Sequence, residues 1–138
     1  MTYKNGVETI PVKPDLILRP YDLDHSIAIF QLIDRNREHL SQYGDTTSAK
    51  YRTVEDVADS ISNQNPLRRR YGIWRGSVLI GTVNVEQKLG NGTSEIGYYL
   101  DVEYQGKGCM SKVVRAMTNH SFQVMDVPTL FGRGHLSC

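Results

Sequence analysis

Three extended runs follow one another in the middle of the chain, and they constrain its fold more than any other feature. Tyr71-Gly72-Ile73-Trp74 and the run from Val78 to Val85 flank Arg75-Gly76-Ser77, a glycine-containing turn of hairpin length. Leu89 to Thr93 makes a second turn, and Glu95 to Val102 a third run. In that third run Ile96, Tyr98, Leu100 and Val102 fall on one face, and Glu95, Gly97, Tyr99 and Asp101 on the other. Strands joined by tight turns pair antiparallel, because a parallel partner needs a crossover of a dozen residues or more. The spacing therefore predicts an antiparallel sheet at the centre of the fold.

Helical patterns lie on both sides of this block. Residues 1–14, with Pro11 and Pro14, read as an irregular lead-in, and Leu16-Ile17-Leu18-Arg19-Pro20 as a short strand closed by proline. Asp22 or Asp24 is placed to cap a helix whose apolar face holds Ile29, Phe30 and Ile33. A polar loop from Gln42 to Lys50 follows. Thr53 is the expected N-cap of a second helix, in which Val54, Val57, Ala58 and Ile61 recur at i, i+3, i+4 and i+7. A further helix from about Gly108 to Phe122 carries Met110, Val113, Val114 and Met117 as its stripe. Strand, two helices, three strands and helix make a mixed α/β chain of the α+β kind. The even alternation of a doubly wound sheet is absent. At 138 residues the chain is read as one domain, 1–138.

Composition narrows the class of function. A formal net charge of +1 favours neither nucleic acid nor an anionic membrane, and Arg68-Arg69-Arg70 is read as a solvated loop. No apolar run reaches the length of a membrane span, and Met1 to Gly6 lacks the apolar stretch of a signal peptide. A cytoplasmic location is expected, with Cys109 and Cys138 as free thiols. His25, His39, His120 and His135 are scattered, and no spacing suggests a metal.

The segment from Glu95 to Lys112 carries the chemistry: a strand, a turn with Gly106 and Gly108, and a helix start. Glycines let the backbone bend with its N–H groups exposed, and the first turn of a helix offers unpaired N–H groups at the positive end of its dipole. Together these suit a phosphate or pyrophosphate. A lone Gly-x-Gly is common in ordinary loops. The GxxxxGK phosphate loop is absent, and the dinucleotide fingerprint fails because Ser111 stands where a third glycine belongs.

Gln105-Gly106-Lys107-Gly108-Cys109-Met110 resembles the Q/R-x-x-G-x-G/A acetyl-CoA motif of the GNAT superfamily of N-acetyltransferases. Glu95-Ile96-Gly97-Tyr98 and the helix after the motif are similar to that family's fourth strand and third helix. Leu18-Arg19-Pro20, the run from Ile33 to Leu40, and Thr53-Val54-Glu55-Asp56 resemble the RimJ/RimL type, which acetylates ribosomal-protein N-termini. The resemblance covers roughly residues 16–124. It implies a mixed, mainly antiparallel sheet flanked by helices. Two departures stand out. Met110 replaces a small residue, where a larger side chain would crowd a pyrophosphate. The tail from Asp126 to Cys138 lacks the expected strand pattern, so the family's C-terminal strands and helix are expected to be missing through truncation.

The resemblance implies acetyl-CoA as cosubstrate, no metal, and an amine acceptor such as a protein N-terminus. Main-chain N–H groups of Gln105, Gly106, Lys107, Gly108, Cys109 and Met110 would hold the pyrophosphate, with the Ser111 hydroxyl beside them. The backbone of Leu100, Asp101 and Val102 would pair with the pantetheine arm, and an N–H near Leu100 would meet the thioester oxygen. Glu95 is the candidate general base, against the plainer reading of a solvated strand residue. Asn36 and Arg37 would face the acceptor, or be solvated helix residues. Cys109 is read as packing, since no histidine is placed by sequence to activate it. The competing reading is a CoA-binding or interaction module impaired by truncation, with an exposed sheet edge that a homodimer would cover.

Overall fold

The computed structural model describes residues 9–41, 47–63, 65, 67–88, 93–105, 108–123 and 130–134. The central block forms as the pattern requires: β3 (Arg68–Arg75), β4 (Val78–Lys88) and β5 (Thr93–Leu100) pair antiparallel in sequence. Gly76, at the β3–β4 turn, adopts φ +60, a left-handed conformation that glycine takes without a Cβ clash. On the other side of β3, β2 (Leu16–Pro20) pairs antiparallel, and β1 (Ile10–Lys13) forms a hairpin with β2. The lead-in expected to be irregular therefore contains a strand. Pro11 hid it, yet a proline is tolerated on an edge strand.

The tail requires a larger correction. Leu130–Gly134 forms β6, which pairs parallel with β5 from Ser94↔Leu130 to Tyr98↔Gly134. The strand order is β1-β2-β3-β4-β5-β6. A short strand carrying Gly132 and Gly134 shows no alternating pattern; the main-chain edge of β5 templates it. The open edge that suggested a homodimer is thus occupied over Ser94–Tyr98.

Helices cover both faces. A 3-10 turn at Leu23–His25 leads into α1 (Ser26–Arg35), and Asp22 caps that turn by accepting from the Asp24 N–H at 2.9 Å. Then come α2 (Arg37–Ser41), α3 (Thr47–Lys50), within the expected loop, and α4 (Val54–Ser62). At the start of α4, Thr53 Oγ1 accepts from Asp56 N while Asp56 Oδ2 accepts from Thr53 N, a reciprocal capping box. The last helix, α5, spans Cys109–Gln123.

The twofold side-chain period of the strands sorts residues into two cores. Leu18, Ile73, Val83, Ile96, Tyr98 and Leu100 pack with Met110, Val113 and Met117 of α5. On the opposite face Leu79 and Tyr99 pack with Ile29, Leu32 and Ile33 of α1, Leu40 of α2, and Val57 and Ile61 of α4. Tyr98 and Tyr99 are thus both packing residues, on opposite sides of the sheet. Leu32 was not read from the pattern, yet it is fully buried. Val102, assigned to the strand face by alternation, is exposed because β5 ends at Leu100 and a 3-10 turn covers Val102–Tyr104.

Candidate active site

The C-terminal end of β5 is gripped by the corner between α1 and α2. Arg35 Nε lies 2.7 Å from Asp101 Oδ2, and Asn36 Oδ1 accepts from Val102 N–H at 3.1 Å. His39 Nε2 lies 3.2 Å from Gln105 Nε2. Each pair is separated by 66 residues, so the two short segments run alongside each other in register. Asp101 is buried, and its Oδ1 accepts from Glu103 N–H at 3.1 Å, which caps the 3-10 turn. Its role is structural.

This clasp revises part of the expected cofactor set. Asp101 N–H donates to Ile80 O at 2.7 Å, inside the sheet, and Val102 N–H is taken by Asn36. Neither is left for the pantetheine arm. Leu100 differs. Antiparallel pairing alternates the direction of N–H groups along a strand, so Leu100 N–H points away from β4, toward the β6 side. Among the described residues the β5–β6 register runs as far as Tyr98, two residues earlier on that edge. Gln105 is likewise engaged within the chain: its main-chain N–H donates to Val102 O at 3.4 Å and so is not left for a pyrophosphate, and its Nε2 donates to Leu100 O at 2.8 Å.

Beyond the clasp the chain enters α5. Gly106 and Lys107 lie outside the described residues. Gly108 adopts φ +75, and a Cβ built on it would meet no heavy atom within 4 Å, so a side chain's direction from this position is open. A glycine at this position supplies no capping side chain, and the first turn of α5 contains no acidic residue. Its first N–H groups have no partner within the helix. These features fit a diphosphate. Met110 does not obstruct it, because its side chain is fully buried against the sheet. Only its main chain faces the helix start. Cys109 packs at the margin of the same core, as a structural thiol would, and Ser111 is exposed.

The remaining site residues do not converge so closely. Glu95 is half-buried and stands directly across from Glu86 of β4. It shares the helix-covered face of β5 with Tyr99. At about 3.4 Å per residue its Cα is about 17 Å along the strand from Leu100. Asn36 and Arg37, expected to face an acceptor, have internal partners instead. Asn36 is buried and its Nδ2 donates to Leu32 O at 2.8 Å. Arg37 Nε lies 2.8 Å from Asp34 Oδ1, its Nη2 donates to Tyr51 O at 2.6 Å, and its guanidinium lies over the Phe30 ring. Sequence reasoning missed Arg35 and His39, whose partners are too distant in the chain to leave a local signal.

The profile of the family described as "Acetyltransferase (GNAT) domain" matches residues 15–135. The ribosomal-protein-serine acetyltransferase of Escherichia coli strain K12 is 29% identical over 121 residues, which is 84% of this chain and 68% of that protein. A solved acetyltransferase from Salmonella typhimurium, which modifies the N-terminal serine of a ribosomal subunit protein, superposes with a TM-score of 0.74 at 28% identity. That match covers 87% of this chain and 71% of the other. RimL, a ribosomal-protein α-N-acetyltransferase solved in complex with coenzyme A, matches with a TM-score of 0.73 at 26% identity and the same coverage of both chains. The chain spans 68% and 64% of two curated relatives, about two thirds of their length.

Proposed function

This chain belongs to the GNAT family of acetyltransferase domains, and from that premise we propose that it moves an acetyl group from acetyl-CoA to a primary amine, the N-terminus of a protein. The observation that carries the reading is the start of α5 beside the end of β5, where Gly108 offers no capping side chain, a Cβ added to it would meet nothing, and the first turn holds no acidic residue. The ribosomal-protein relatives support an N-terminal amine as acceptor. Family membership and the CoA-bound relative favour an acetyltransferase over an impaired binding module.

Acetyl-CoA would supply the thioester: its C–S bond breaks as the amine nitrogen bonds to the acetyl carbon, and CoA leaves as a thiolate that takes up the second proton the nitrogen sheds as the amide forms. Main-chain N–H groups of Cys109, Met110 and Ser111 hold the pyrophosphate, and the exposed Ser111 hydroxyl adds a donor. Leu100 N–H, past the last β6 pairing among the described residues, donates to the thioester oxygen and stabilises the charge that develops there. The ammonium proton must leave before attack, and Glu95 accepts it through a chain of several waters, since about 17 Å of strand separates its Cα from Leu100. No metal ligand set takes part in this reading. A cytoplasmic location belongs to the same proposal, since acetyl-CoA and ribosomal proteins meet inside the cell; fractionation of the native host checks it.

Titration calorimetry with acetyl-CoA and a thiol-release assay on peptides with a free N-terminus test the reading. Binding followed by peptide-dependent release of CoA is expected. Glu95→Gln should lower kcat/KM about 10²–10⁴-fold with the fold intact. A wild-type chain that neither binds acetyl-CoA nor releases thiol would remove the assignment.

A further inference from the structure

The contacts of Gln105 determine more than the position of its side chain. Its Nε2 lies 2.8 Å from Leu100 O and 3.2 Å from His39 Nε2. A carbonyl oxygen only accepts, so the atom beside it is the amide NH2 nitrogen, with one N–H directed at Leu100 O. The second N–H faces His39 Nε2, which must then be an acceptor. In that arrangement the ring proton sits on Nδ1. Its ring also lies against Tyr99 of β5, with centroids 6.3 Å apart.

The Leu100–Asp101 peptide is thereby held on both sides. Gln105 donates to its carbonyl, and its N–H donates to Ile80 O at 2.7 Å. The adjoining N–H, that of Leu100, is the one given to the thioester oxygen above. We propose that His39 and Gln105 are positioning residues for acetyl transfer: His39 orients the Gln105 amide, and that amide fixes the peptide that aims Leu100 N–H. The assignment rests on the acetyl-transfer reading. His39 is not the proton acceptor, because its Nε2 lone pair is already engaged by Gln105. The pyrophosphate cradle at α5 is a separate structure, so the pair acts on the reacting end of the cosubstrate and not on its anchorage.

The test compares wild type with Gln105→Leu, His39→Lys and His39→Gln, each checked for folding by thermal melting. Gln105→Leu removes the donor, and kcat should fall about tenfold or more while KM for acetyl-CoA changes less than about threefold. His39→Lys puts a donor where an acceptor is needed and should fall comparably. His39→Gln restores an acceptor oxygen at similar reach and should recover most of the loss. Equal activity of the lysine and glutamine variants at position 39 would overturn the proposal. A second readout is independent of turnover: nitrogen NMR of histidine-labelled wild type should show the His39 proton on Nδ1, and Gln105→Leu should move that signal. A proton on Nε2 in the wild type would overturn the proposal by itself. No turnover by wild type with the Nδ1 tautomer intact would overturn the acetyl-transfer reading, and with it the catalytic role of the pair.

Discussion

One guanidinium fastens three parts of the fold: Arg35 Nε meets Asp101 Oδ2 at 2.7 Å, and Arg35 Nη2 donates to Leu79 O at 3.1 Å. The end of α1 is thus tied to β4 and to the turn that follows β5. The pair is asymmetric, since the Asp101 side chain is 3% exposed and that of Arg35 is 42% exposed. Deleting Arg35 strands a buried carboxylate with a main-chain donor from Glu103 and no countercharge among the described residues. A fully buried pair would lose more; with the arginine partly in water, Arg35→Ala should cost about 2 kcal/mol in urea unfolding. Acetyl-CoA affinity should weaken as well, because the end of β5 loosens. An unchanged unfolding free energy would show that the clasp is superficial.

The start of α5 separates stability from binding. Ser111→Asp puts a carboxylate in the first turn of the helix, where the dipole favours it by about 0.3–1 kcal/mol. The same charge repels a pyrophosphate. Melting temperature should hold or rise while the Kd for acetyl-CoA increases at least about tenfold. Gly108→Ala should cost about 1–2 kcal/mol from its φ of +75, with no clash inside the protein. Calorimetry of both variants checks the pattern, and undiminished binding by Ser111→Asp would locate the diphosphate elsewhere.

Gly81 is required by packing alone. A Cβ there would run into the Tyr99 carbonyl oxygen and press on the Ile73 and Leu100 side chains at 3.1 Å. The β4 and β5 backbones would have to separate next to the site, so Gly81→Ala should cost about 2–4 kcal/mol. Denaturant unfolding measures it, and a cost below about 0.5 kcal/mol would show that the sheet yields freely here.

Tyr21 sets an alkaline limit. Burial pushes its phenol above the ordinary range, while Arg70, 4.8 Å from the ring, and a hydrogen bond to Thr82 pull the other way. The residue keeps some exposure, but its hydroxyl end is withdrawn from water. The folded state thus prefers the neutral phenol more than the unfolded chain does. Its contribution is complete below about pH 10, the unfolded value, and is lost as pH rises through the higher folded value. Tyr21→Phe should flatten the fall in stability above about pH 10. An identical alkaline limb in wild type and variant would place the sensitivity in other groups.

Local periodicity made much of this molecule readable from its residues. A period of two with tight turns determined the β3–β4–β5 block, and Thr53 with Asp56 marked the start of α4. The stripe of Met110, Val113 and Met117 determined which face of α5 enters the core. The glycine turn before that helix marked a helix start whose first N–H groups have no partner within the helix. Each signal lies within a few residues of its cause.

What only the tertiary structure decided depends on partners far apart in the chain. The strands β1 and β6 exist because an unpaired main-chain edge accepts almost any extended segment, and main-chain pairing needs no side-chain pattern. The matches of Arg35 with Asp101, Asn36 with Val102 and His39 with Gln105 each bridge 66 residues. Nothing near Asn36 announces that Val102 N–H will need an acceptor. Asn36 and Arg37 therefore read from sequence as facing an acceptor or solvent, and folding turned both inward because a buried polar group left without a partner costs more than one that finds it within the chain.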